Sequence, residues 1–174
     1  MPVVNRLVAA ARRRGPRGAG PRCTGHRVRA AVLAALVGAS PAVAQQVSDC
    51  DWRARADNIM EPWEENTRTF GGGRTRITAL DTIEPAVGAF HLMIVSPPFD
   101  EVGARQCKIV SLDGSAGFAG MHIDRMIAGY HPSTGLALQV PVRILGETGA
   151  PQDAVLNVAV NQGTGAISAQ VGAP

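Results

Sequence analysis

Residues 87–96 constrain this chain more than any other stretch. They read Val-Gly-Ala-Phe-His-Leu-Met-Ile-Val-Ser and run straight into Pro97-Pro98. This is the densest apolar run outside the N-terminal region. A short apolar run closed by breakers predicts a largely buried β-strand.

The downstream sequence supplies neighbours for it. Residues 74–80 alternate weakly. Residues 105–112 predict another strand, with Cys107 and Ile109 on one face and the cysteine inward. Residues 126–130 and 136–144 predict a hairpin across His131-Pro132-Ser133-Thr134-Gly135. Its second arm has the cleanest period-two pattern, Leu136, Leu138, Val140, Val142 and Ile144 alternating with Ala137, Gln139, Pro141 and Arg143. Pro141 has no N–H to donate, which predicts an edge or a bulge there. Residues 154–160 and 166–171 predict a second hairpin across Asn161-Gln162-Gly163-Thr164-Gly165. Residues 111–120 read as a glycine-rich turn, and 121–127 fit either a strand or two helical turns.

Upstream, residues 48–58 predict a short helix. Ser48 is its cap, Asp49 and Asp51 sit near its N-terminus, and Trp52, Ala56 and Ile59 share one face. Arg53 and Arg55 then point to solvent, and Pro62 ends the segment. The predicted fold class is mainly β: a small antiparallel β-sandwich or β-barrel with one short N-terminal helix.

Charge divides the chain. Residues 1–44 hold eight arginines and no acid, whereas residues 45–174 hold nine basic and 14 acidic residues, a balance of −5 against +3 for the whole chain. The basic character therefore belongs to the leader, and net charge gives no ground for nucleic-acid binding. Arg27 and Arg29 precede the apolar run 30–39, and Ser40-Pro41 breaks it before Ala42-Val43-Ala44. That order predicts a signal peptide with an extended basic n-region, cleaved after Ala44. The apolar run is about half the ~20 residues that a membrane span needs. The expected organisation is a leader over 1–44, an N-terminal helix and connector over 45–70, and an antiparallel β domain over 71–174. A periplasmic or secreted location follows, with no membrane span after cleavage.

Cys23 is lost with the leader. Cys50 and Cys107 remain as an even pair in an oxidising compartment, which predicts a disulfide.

Few residues suggest chemistry. Glu61, Trp63, Glu64 and Arg68 form a candidate recognition patch, charged groups around an indole. Ser115, His122 and Asp124 form a candidate polar site. His122 and Asp124 share a face only if 121–127 is a strand, and a nearby carboxylate then raises the histidine's basicity. Asp113-Gly114-Ser115-Ala116-Gly117 lacks the first glycine and the following helix of a nucleophile elbow. His91, His122 and His131 with Met93, Met121 and Met126 are the donors for a copper reading, without the spacing of a metal motif. Phosphate loops, dinucleotide fingerprints and zinc-finger spacings are absent. The sequence assigns no catalytic residue, metal or cofactor. It predicts an exported, non-catalytic binding or envelope-associated module whose partner is an envelope protein or a small ligand. The alternative is a carrier of small apolar ligands, with a β-barrel pocket lined by Leu92, Ile94, Leu138 and Val140. A hydrolase or a copper-binding protein comes third.

Overall fold

Residues 90–96 of the apolar run lie in the central strand of a five-stranded antiparallel sheet, whereas residues 87–89 precede it and Val87 is exposed. The computed structural model describes residues 45–174; the leader predicted over 1–44 lies outside them. The first sheet contains β1 (Gln46–Asp49), β2 (Thr67–Phe70), β3 (Thr75–Asp81), β4 (Phe90–Phe99) and β5 (Arg105–Ser111), in the order β1-β5-β4-β3-β2. The second contains β6 (Gly120–Met121), β7 (Ile127–His131), β8 (Gly135–Leu145), β9 (Pro151–Val160) and β10 (Ile167–Gly172). Its order is β10-β9-β8, with β6 and β7 side by side along the far edge of β8. Both sheets are antiparallel and they do not close into a barrel. Both predicted hairpins form, β7 with β8 and β8 with β9 and β10 in one meander. The left-handed conformation that their turns require falls on Gly135 and Gly165, at φ +86° and +78°.

The core lies between the sheets. Ile77 and Ala79 of β3, Leu92 and Ile94 of β4 and Val110 of β5 face Leu138, Val140, Leu156 and Val158 of β8 and β9, with Phe118, Met121 and Ile123 closing one end. Small and branched aliphatics do most of this packing, because the described residues contain only seven aromatics.

Four expectations need correction. The helix over 48–58 does not form. Ser48 belongs to β1, opposite Ile109 of β5, and two short 3₁₀ turns follow, Trp52–Ala54 and Ala56–Asn58. Arg55, extended at φ −70° and ψ 152°, separates them, and the cap is Asp51, whose side chain accepts from the Arg53 N–H. Pairing with β5 outweighs the local helical pattern. The only α-helix among the described residues is α1, Trp63–Asn66. Second, Arg53 does not face solvent; it is buried. Third, Pro97-Pro98 does not end the strand: β4 runs to Phe99, and the prolines sit where its pairing with β5 shifts register between Ser96 and Phe99. A bulge tolerates residues that cannot donate.

Pro141 is the fourth case. It lies inside β8, paired with Val155 of β9. Its other side faces the gap between β6 and β7, where the chain leaves the sheet through the 3₁₀ turn Ile123–Arg125. The His122 N–H donates to the Pro141 carbonyl at 3.0 Å, so the missing donor points into the same gap, where no ladder bond is lost. Residues 121–127 are thus neither one strand nor a helix.

The disulfide Cys50–Cys107 is present, with Cα atoms 5.3 Å apart, and the Cys50 N–H donates to the Cys107 carbonyl at 3.1 Å. Cys107 and Ile109 do share a face, but it is the outer face of the first sheet, toward the connector. No described helix is long and apolar enough to cross a membrane.

Candidate functional site

The outer face of the first sheet carries the polar chemistry. Strand register places Thr78 beside Met93, Met93 beside Ile109, and Leu80 beside His91, all turned away from the intersheet core. The connector over 50–66 lies across this face, fixed by the disulfide and by a bridge between Ile59 and Leu80. Two features result, a buried clamp and an open cleft.

The clamp centres on Arg53, which is 6% exposed. Its guanidinium donates from Nε to Asp51 Oδ1 at 2.9 Å, from Nη2 to Asp51 Oδ2 at 2.8 Å and Ser48 Oγ at 3.2 Å, and from Nη1 to Ser111 Oγ at 2.9 Å. Ser111 Oγ lies 2.9 Å from His91 Nδ1. Burial depresses the His91 pKa to about 4, Arg53 adds to the effect and Asp51 opposes it, so the ring is neutral at pH 7. Hydrogen bonding to Arg53 holds the Asp51 carboxyl below its ordinary value. The Ser111–His91 contact resembles a nucleophile and its base, but both residues are 1% exposed. Gly117 closes over the ring so tightly that a Cβ there would stand 2.9 Å from His91 Cε1. A substrate has no path to Ser111. The clamp fastens the connector to the sheet, and three bonded partners, Asp51, Ser48 and Ser111, offset the desolvation of Arg53.

The cleft is the neighbouring, uncovered part of the same face. It measures about 390 Å³ and is lined by Ile59, Trp63 and Glu64 of the connector, Thr67 and Thr69 of β2, Arg76 and Thr78 of β3, and Met93 of β4. Its floor follows from strand alternation, since Thr67 pairs with Thr78 and Thr69 with Arg76 across β2 and β3. Thr67 Oγ1 donates to Thr78 Oγ1 at 3.4 Å. Trp63 stands at the mouth, 55% exposed. Among the described residues, neither Glu64 nor Arg76 forms a salt bridge. The cleft therefore offers an aromatic face, hydroxyls, and one free charge of each sign.

The structure separates the residues of the predicted patch. Trp63 and Glu64 meet in the cleft. Glu61 is exposed just before α1 and does not line it. Arg68 turns back, donating from Nη1 to the carbonyls of Glu64 at 2.8 Å, Glu65 at 3.2 Å and Thr67 at 2.9 Å, so it caps the end of α1. In the predicted polar site, His122 Nδ1 and Asp124 Oδ1 lie 3.9 Å apart across the Ile123–Arg125 turn, which packs beside α1. Ser115 occupies the separate turn closed by Asp113 and Ala116, and no hydrogen bond joins it to His122 or Asp124. His131 is exposed and contacts Ser133 Oγ at 2.8 Å. Among the described residues, no group of three or more His, Cys, Asp or Glu is arranged to hold a metal ion.

Sequence reasoning missed Arg53, Ser111, Thr67, Thr69 and Arg76. Arg53 and Ser111 are 58 residues apart, and no local pattern links them. The threonines and Arg76 were readable only as one face of two strands whose pairing was unknown. Compared with known proteins, the chain matches no family model, no curated protein and no solved structure.

Proposed function

We propose that this protein is an exported, non-catalytic binding module and that the Trp63 cleft is its recognition site. The observation that carries this reading is the combination of an exposed indole with an unpaired Glu64 and Arg76 over a threonine floor. Exposed aromatics beside unpaired polar groups are what ligand sites commonly present. A ligand suited to it has one flat apolar face for Trp63 and hydroxyl or charged groups at its rim. The disulfide favours an oxidising compartment, which agrees with export.

The apolar-carrier reading has less support. Leu92, Ile94, Leu138 and Val140 pack together in the intersheet core, and the sheets remain open. A hydrolase reading is disfavoured by the closure over Ser111 and His91 and by the lack of any bond between Ser115 and His122.

A pull-down from native envelope, run in parallel with the exported wild type and Trp63→Ala, tests the proposal. A molecule retained by the wild type and lost with the variant supports it. Identical capture by both overturns it. So does an enzymatic turnover that disappears on Ser115→Ala or His122→Ala.

A further inference from the structure

We propose that Gln45 and the free edge of β10 form a self-cyclising N-terminus, which converts the first residue of the mature chain to pyroglutamate. This rests on the export reading, with cleavage after Ala44 leaving Gln45 first.

Two contacts define the site. The Gln45 backbone N–H donates to the Ala169 carbonyl at 3.2 Å, and the Val171 N–H donates to Gln45 Oε1. Ala169 and Val171 are two residues apart on β10, so these groups point to the same side, opposite β9. Gln45 spans both partners by itself. The backbone nitrogen and the side-chain carbonyl of this one residue are thus both held on the β10 edge. The residue is 6% exposed.

That arrangement suits an intramolecular acyl transfer. The neutral α-amine forms a bond to Cδ, and the C=O pair moves onto Oε1. Collapse breaks the Cδ–Nε2 bond, and ammonia leaves with the proton given up by the amine. No co-reactant is needed. The Ala169 carbonyl orients the amine through one N–H and leaves its lone pair free. The Val171 N–H lies where negative charge develops on Oε1, the role of an oxyanion donor. Holding nucleophile and carbonyl together removes most of the entropic cost. The lactam keeps one N–H and one carbonyl to offer the β10 edge. The terminal charge is lost. Gln45 leads directly into β1, at the edge of the first sheet. The lactam thus ties that edge to the edge of the second sheet.

The test uses the full-length chain exported in a bacterial host. The mature protein is collected at about pH 5, where the α-amine (ordinary pKa ~7.7–8.0) is protonated, and then moved to about pH 8. Intact and N-terminal peptide masses are followed with time. The expected product is residues 45–174 lighter by one ammonia. Val171→Pro removes the donor to Oε1, and an edge strand tolerates proline; conversion should slow by about 10²-fold. Wild type unfolded in urea should slow similarly, which keeps the test valid if the variant does not fold. A mature chain that begins at Gln45 and keeps its amine overturns the inference while sparing the export reading. A chain that begins elsewhere overturns both. Equal rates in folded and unfolded wild type also overturn the inference, since cyclisation would then owe nothing to β10.

Discussion

The two sheets bury their faces differently, and their strands show it. In the second sheet, Leu136, Leu138, Val140 and Val142 of β8 face the core, while Ala137, Gln139 and Arg143 face outward. That outer face is an open hollow of about 500 Å³ floored by small and amide side chains such as Ala137, Ala159, Ser168 and Asn157. In the first sheet, residues 91–94 of β4 are buried without interruption. Leu92 and Ile94 face the other sheet, whereas His91 and Met93 face the connector. A sheet covered on one side reads as alternation; a sheet covered on both sides reads as a continuous apolar run. The difference also separates two kinds of surface. Where a connector partly covers a sheet, its border becomes a cleft flanked by an indole; where nothing covers it, the sheet face itself floors the larger hollow.

The strongest way to break this asymmetry is to release the cover. Reducing Cys50–Cys107, or replacing both cysteines by serine, opens a loop with a sequence separation of 57. It should cost about 4 kcal/mol in chemical denaturation, and hydrogen exchange should rise first in β1 and β5, with the β8–β9 pairing still protected.

Acid attacks the same face through His91. Its pKa is about 4 in the folded protein against the ordinary 6.5. The unfolded chain therefore binds the proton at higher pH. The stability tied to this group is complete above pH 6.5 and is lost as pH falls toward 4, by about 3 kcal/mol in all. Denaturation midpoints measured across that window should show the slope in the wild type and lose it in His91→Gln.

The smallest effect belongs to the open face. Ala159→Thr, flanked across strands by Ala137 and Ser168, should shift stability by no more than about 0.5 kcal/mol in the same assay. A larger loss would mean that this face is not free.

The sequence alone determined seven of the ten described strands, β3–β5 and β7–β10, because alternation, apolar runs and glycine turns are local signals. It also pointed to the cysteine pairing, since only two cysteines follow residue 44, and it put Glu61, Trp63, Glu64 and Arg68 forward as a recognition patch. Tertiary structure decided the rest. Pairing of Gln46–Asp49 with β5 overrode a helical pattern. Burial turned Arg53 from a solvent-facing charge into a clamp, because Ser111 waited 58 residues away. Register brought Thr67, Thr69 and Arg76 under Trp63, while Arg68 turned to cap α1. The physical reason is common to all of these. A side chain's partners across strands depend on which strands pair and in what register, and that choice is made by burial over the whole sheet, not by the residues beside it in sequence.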